Sequence, residues 1–414
     1  MKIWNEVWGV LDVLFETECT IDRVCISKMG INVWYMSVYD HTLWRYEMSL
    51  KLRDIVEPYF AQQWNLKTMN VPLAWQFGYG KDVVVGIIDS GLDGDHKDLG
   101  GDGLLYITAN DSDAAKLAKY EPVMESIRKG EHPKILPGWN FLRNDDNTYD
   151  LFRHGTYLGG VMCAEIDKYG MAGVAPECRV RPYVVCDAKG RVEQADLAKA
   201  VWRAIDDDVD VINISLAWGG DQDKGATEAI YEAIRQGIIV AAATGNNNIG
   251  TVYYPARLKG VIAVGGCNSV GERWVHNFIR GSNFGKEMIC LAPGASQIST
   301  QYMRSRFTNV DGTSMAAANA SGVMALAKGV DRSITNADVI GMLSEGKVGE
   351  LESGYGVLDA YRFLVKVSDG VKPNPLKLAI DGALEHLVSL QKSLVGIGRL
   401  AEVGACRWGT ASTD

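Results

Sequence analysis

Three short segments of the 414-residue chain carry side chains able to move a proton or attack a carbonyl. The first is Val83-Val84-Val85-Gly86-Ile87-Ile88-Asp89-Ser90-Gly91, where an apolar run ends on an acid. Open parallel sheets place functional groups at that end of a strand, although an Asp there also suits an ordinary turn. Asp-Ser-Gly triplets occur in aspartic proteases too, but a carboxylate pair needs a second triplet, and the chain has none. The second segment, Arg153-His154-Gly155-Thr156, opens a helical stretch of small residues over 157–164. A lone His is more often structural. The third, Gly312-Thr313-Ser314-Met315-Ala316-Ala317, opens another small-residue helix. A Ser at that point can be an N-cap or a nucleophile, because a helix N-terminus stabilises negative charge and absent side chains leave room for a substrate.

The elements that must hold these residues are short apolar runs separated by amphipathic helices. The runs are Val83–Asp89, Val180–Val185, Val209–Ser215, Ile238–Ala243, Val261–Gly265 and Met288–Ala292. Uniformly apolar strands alternating with helices predict an α/β fold, three layers deep and doubly wound, with a mainly parallel central sheet buried on both faces. Helices are expected over Val192–Ile205, with Val192, Ala195, Ala198, Val201, Trp202 and Ile205 on one stripe, and over Ala226–Arg235, with Ala226, Ala229, Ile230, Ala233 and Ile234 inward. A charged helix near 112–130 lies in what reads as a surface insertion. Residues 1–60 form a small N-terminal module with a strand over Ile31–Tyr39 and a helix near 41–57, residues 61–367 the main domain, 368–375 a proline-bearing linker and 376–414 a helical extension over Leu376–Leu394.

Composition narrows the function. The chain is 47% hydrophobic and 22% charged, which excludes disorder, and a net charge of −9 argues against phosphate-driven binding of nucleic acid. The longest apolar stretches fall far short of the ~20 residues of a membrane span. Eight scattered cysteines without paired short spacings read as reduced thiols, and Asp12 and Glu16 interrupt the start where a secretion signal would be unbroken. Together they point to the cytoplasm.

Asp, His and Ser in that order, each at an element end beside Gly, resemble the subtilisin-like serine protease (subtilase) family over roughly 65–367. The runs Gly173-Val174-Ala175-Pro176, Ile212-Asn213-Ile214-Ser215-Leu216, Ala292-Pro293-Gly294 and Gly354-Tyr355-Gly356-Val357-Leu358 are similar to that family as well. The resemblance implies a serine endopeptidase working through an acyl-enzyme, with Ser314 as nucleophile, His154 as base and then acid, Asp89 orienting the imidazole, and Asn246 donating to the oxyanion. It further implies a protein or peptide substrate bound as a strand along Ser215, Leu216, Ala217, Trp218 and Gly219, with Gly245 alongside.

The chain departs from the family pattern at Tyr157, Ala318, Asn319 and the Ala217-Trp218 pair, and the stretch 246–255 is short and ends in two tyrosines before Pro255. Bulk at Trp218 either narrows the substrate pocket or packs on the surface. Asp98 and Asp167 stand where many relatives ligate a structural calcium ion, which takes six to eight oxygens. The position of residues 1–60 suggests an inhibitory segment in cis. A catalytically silent regulatory or binding protein on the same fold is the competing reading.

Overall fold

The computed structural model describes residues 20–27, 30–36, 55–303, 305–345 and 350–369, and the chain divides into two units, Met1–Glu57 and Pro58–Asp414. In the first, β1 (Thr20–Ser27) and β2 (Gly30–Met36) pair antiparallel, Ser27 opposite Gly30 and Thr20 opposite Met36. The second strand covers most of the alternating run, whereas the helix expected over 41–57 lies outside the described residues except for 55–57, which are not helical.

The second unit starts with two short helices, α1 (Trp64–Thr68) and α2 (Val71–Ala74), and is organised by a seven-stranded sheet. Its strands are β3 (Val84–Asp89), β4 (Trp139–Asn140), β5 (Arg179–Val184), β6 (Val211–Ile214), β7 (Ile239–Ala243), β8 (Ile262–Cys267) and, after a small hairpin of β9 (Val275–Asn277) and β10 (Arg280–Gly281), β11 (Cys290–Pro293). They lie in the order β11-β8-β7-β6-β3-β5-β4, every pairing parallel. After β3 the chain runs out to the edge strand β4, comes back as β5 beside β3 and then crosses to the other side of β3 as β6. Asp89 therefore ends its strand beside the point where the winding reverses, the crevice in which open α/β sheets bind ligands.

Helices cover both faces, as the apolar strands require. The insertion helix α3 (Asp113–Arg128) is capped by the Ser112 hydroxyl, which accepts from Ala115 N–H at 3.2 Å. Helix α4 (His154–Cys163) follows, and then α5 (Gln194–Asp206) and α6 (Lys224–Arg235), which share one apolar cluster with Ile88, Ile212, Ile214, Val240 and Ala242. The buried stripe of α5 is Leu197, Ala200, Val201 and Ala204, while Ala195 and Trp202 are exposed. The expected stripe is thus rotated, because spacing alone gave Trp202 an inward place that small Ala residues take against α6. A third hairpin, β12 (Gln297–Gln301) with β13 (Arg306–Val310), leads into α7 (Thr313–Val330), and α8 (Asn336–Ser344) and α9 (Ala360–Asp369) follow. Ser368 and Asp369 thus close a helix instead of opening the linker, and the linker beyond them and the helix expected over 376–394 lie outside the described residues.

Helix α7 packs on α4 and on β6, β7, β8 and β11, and Thr313 through Lys328 are all buried. Such a helix is apolar nearly all round, Met315, Val323, Met324 and Leu326 included, and needs a small residue where a neighbour comes closest. A Cβ on Gly322 would stand 2.6 Å from Val174 Cβ and 2.9 Å from its Cγ1, and a branched side chain cannot swing aside. Asn319, one of the departures from the family pattern, is a buried staple: its amide donates to Pro293 O, Gln297 Oε1 and Met315 O at 3.0, 2.9 and 3.0 Å, and its oxygen accepts from Asn65 at 3.1 Å. Cys163, Cys178, Cys186, Cys267 and Cys290 are buried thiols. For Gly322→Ala, gain in helix propensity is about 1 kcal/mol and overpacking costs about 1–3 kcal/mol, so a net loss of stability is expected by denaturant unfolding. A more stable variant would show that α7 shifts freely against Val174.

Candidate active site

Asp89 and His154 meet because two backbones come unusually close. A Cβ on Gly155 would overlap the carbonyl of Gly91, which itself has φ +112°, so only glycines let the first turn of α4 press against the end of β3. His154 is the first residue of that helix, and its Nδ1 lies 2.8 and 2.9 Å from the two oxygens of Asp89, Oδ1 of which also accepts from Ser90 N–H at 2.8 Å. The carboxylate is fully buried, whereas the imidazole keeps 24% of its side-chain surface open. Burial opposes charging of the ring, but the charge and hydrogen bond of Asp89, helped by Asp150, outweigh it and hold the His154 pKa above its ordinary value.

Asp150, which sequence reasoning missed, fixes this turn. Fully buried, it receives five hydrogen bonds: from Ser90 Oγ (2.9 Å), Phe152 N–H (3.0 Å) and Arg153 N–H (2.6 Å) on Oδ1, and from Thr156 N–H (2.9 Å) and Oγ1 (2.7 Å) on Oδ2. Ser90 Oγ in turn accepts from Gly155 N–H at 2.9 Å, so the strand end and the helix start share one network. Burial pushes the Asp150 carboxyl up, while the donors from Thr156, Arg153 and Ser90 pull against that shift. An Asp a turn before a helix that opens on His was the available signal. Arg153 takes a left-handed conformation at φ 88°, a strain tolerated where surroundings over-determine the backbone.

Ser314 is the second residue of α7, after Gly312 at φ +140°, and its Oγ donates to Ser215 O at 3.1 Å. Ser215 Oγ returns a bond to Ser314 O at 3.0 Å and accepts from Asn213 Nδ2 at 3.0 Å, tying the segment after β6 to the nucleophile candidate. Asn246, exposed just past β7, has its carboxamide oxygen held by Thr313 N–H (2.8 Å) and Thr313 Oγ1 (2.9 Å). That leaves its Nδ2 as the presented end. A Cβ on Gly312 would lie 3.6 Å from Asn246 Nδ2, 3.7 Å from Asn246 Oδ1 and 3.7 Å from Ser314 N, so the Asn246 carboxamide and the Ser314 N–H stand near one another beside Gly312.

The other expected residues fall as follows. Ser215 is buried, Leu216 and Ala217 are partly buried, Gly219 is exposed, and Gly245 is buried with its N–H on Thr313 Oγ1 at 3.3 Å. Trp218 packs against the apolar cluster of α5 and α6 and faces Tyr254 with ring centroids 6.2 Å apart. Its backbone exchanges hydrogen bonds with Tyr254 at 2.8 and 3.0 Å, so its bulk serves packing. Asp98 is buried with Oδ2 accepting from Met171 N–H at 2.8 Å beneath Gly170 and the Phe307 ring, and exposed Asp167 accepts from Tyr169 N–H at 2.9 Å in its own turn. Among the described residues no group of three or more His, Cys, Asp or Glu could hold a metal ion. A calcium ion takes six to eight oxygens, so backbone carbonyls would have to join Asp98 and Asp167 in holding one.

Comparison with known proteins bears on this arrangement. A family model described as the subtilase family matches residues 80–355, more than half of the chain. The chain is 30% identical over 271 residues to the thermophilic serine proteinase of Bacillus sp. (strain AK1), with 65% of this chain and 58% of that protein covered. It is 30% identical over 283 residues to subtilisin of Bacillus pumilus, covering 67% and 88%, and 28% identical over 282 residues to thermitase of Thermoactinomyces vulgaris, covering 68% and 87%. It thus spans less than two thirds of the first of these relatives and most of the other two. A solved structure titled as proteases from Pseudoalteromonas arctica PAMC 21717 superimposes with a TM-score of 0.62 at 24% identity, over 76% of this chain and 99% of that one, and shows a shared fold. The chain belongs to the subtilase family.

Proposed function

We propose that the chain is a serine endopeptidase that cleaves peptide bonds through an acyl-enzyme. The observation that carries this reading is the buried Asp89 carboxylate on His154 Nδ1, set at the carboxyl ends of the same parallel strands as a serine at a helix N-terminus and an asparagine whose amide is turned outward. Rotation about the Ser314 Cα–Cβ bond releases the hydroxyl from Ser215 O toward Nε2, the ring nitrogen that Asp89 leaves unused. Nε2 takes the proton as Oγ bonds to the carbonyl carbon, and the imidazolium that forms is stabilised by Asp89.

The oxygen of the tetrahedral intermediate gains its charge where Asn246 Nδ2 and the Ser314 N–H can donate, the latter having no intrahelical acceptor at its place in the first turn. When the C–N bond breaks, Nε2 returns the proton to the leaving amine. Water then enters, loses a proton to Nε2 and attacks the ester, and the proton goes back to Ser314 Oγ as the new carboxyl end departs. No step runs through a metal ion. An inhibitory role for residues 1–60 belongs to the same proposal, and deleting them should raise turnover if it holds and leave turnover unchanged if it does not.

A fluorophosphonate should label wild-type Ser314 stoichiometrically, and Ser314→Ala should lose both labelling and hydrolysis while keeping its unfolding free energy within about 1 kcal/mol of wild type. Unlabelled, folded wild type would favour the silent-scaffold reading. Asn246→Ala should lower kcat by about 10²–10³ with little change in KM, the size known for the corresponding donor in subtilisin and taken over from there. A change confined to KM would mean that Asn246 only binds substrate.

The base must be neutral to act, so kcat/KM should rise with pH through the His154 pKa, with its midpoint above 6.5. The negative charge of Asp150 contributes to that upward shift. Asp150→Asn should therefore move the midpoint down as well as lowering kcat, whereas an unmoved midpoint would restrict Asp150 to holding the backbone.

A further inference from the structure

The proposed attack leaves three directions around the scissile carbonyl carbon, and two are occupied. The oxygen turns to Asn246 and the Ser314 N–H, and the leaving nitrogen must face His154, which protonates it. The acyl residue is left with the third, toward the two segments that touch 313–314. One begins at Ser215, whose carbonyl lies 3.1 Å from Ser314 Oγ; the other holds Gly245, whose N–H reaches Thr313 Oγ1 at 3.3 Å. The side chain of the residue that supplies the carbonyl has to enter between residues 215–219 and residues 244–246.

Tyr253 stands in that space. Its N–H donates to Thr244 O at 3.0 Å, which sets it beside the exit of β7, and the Trp218–Tyr254 backbone exchange ties the opposite wall to the next residue. A Cβ on Gly245 would lie 2.9 Å from Tyr253 Cδ2, and a Cβ on Gly219 would lie 2.9 Å from both Cε1 and Cζ and 3.1 Å from Oη. The ring therefore bridges the two walls edge to edge. Glycine at both positions makes room for the ring, and the ring then takes the volume a large substrate side chain would need.

We propose that Tyr253 is a specificity-determining residue that closes this slot, so that the acyl-side residue of a substrate is Gly, Ala or Ser and bulky side chains are refused. The inference rests on Ser314 being the nucleophile. Tyr253 lines the slot and neither gives nor takes a proton in the proposed steps, so its replacement changes which peptide is cut. Trp218, the bulky residue that the sequence singled out, packs behind the slot against Tyr254.

The test uses the full chain and two peptides that differ only in Ala or Phe at the acyl position, with each preparation first titrated by a fluorophosphonate. Differences of this kind in an apolar slot span about 10–200-fold. Wild type should favour Ala over Phe by about 100-fold in kcat/KM, Tyr253→Gly should reduce or reverse that preference by at least about tenfold, and Tyr253→Leu, which keeps the slot filled, should stay near wild type. If wild type labels on Ser314 yet cuts both peptides alike, the inference fails and the nucleophile stands. A labelled Tyr253→Gly with the wild-type preference has the same meaning. Should Tyr253→Gly not fold, Tyr253→Ser is read in its place against the wild-type preference. Wild type that neither labels nor cuts removes the proposed function and this inference together.

Discussion

The structure of the candidate site depends on one close approach, that of the first turn of α4 to the end of β3 at Gly155 and Gly91. Any side chain at 155 would push the helix off the strand by more than a hydrogen bond can stretch. Two separate contacts depend on this distance. His154 reaches both oxygens of Asp89, and Gly155 N–H reaches Ser90 Oγ, which itself donates to Asp150. Asp150 then gathers the loose N–H groups at the start of the helix. Orienting the imidazole and capping its helix are thus parts of one buried network, which is worth more intact than the sum of its bonds suggests.

The second half of the site follows the same logic from the opposite helix. Helix α7 is buried almost end to end, so its place is set by packing, and its first turn arrives at the carboxyl ends of the strands with little freedom. From there Thr313 fixes the carboxamide of Asn246, while Ser215 and Ser314 exchange hydrogen bonds. Ser321 Oγ donates to Asn213 Oδ1 at 3.0 Å, which carries the same polar thread under the sheet. Chemistry-bearing groups sit on short exits from rigid strands and at helix starts, where rotamers are limited by neighbours.

Much of this was readable from the residue order. Asp89, His154, Ser314 and Asn246 stand at element ends flanked by glycine, and apolar runs of strand length marked six of the seven sheet strands. Strand β4, with two residues, has no periodicity to read. Asp150 escaped although four of its five hydrogen bonds come from residues 152–156, because an isolated acid in a polar loop resembles many others and its contact with Ser90 spans sixty residues. The stripe on α5 was misplaced because two apolar faces compete there, and only the packing of Leu197, Ala200 and Ala204 against α6 decides between them. The tyrosine pair at 253–254 was visible as bulk, but its two members part ways: Tyr254 enters the core and Tyr253 spans the slot.

The central claim is that the close approach of α4 to β3 gives His154 a charge-supported hydrogen bond to a buried Asp89. Proton NMR of the full chain measures that bond directly. A strongly downfield N–H resonance from His154 Nδ1 is expected, lost in Asp89→Asn, with the ring titrating above 6.5 in wild type. A His154 ring that titrates at or below 6.5, with no downfield proton on either side of the transition, would contradict it.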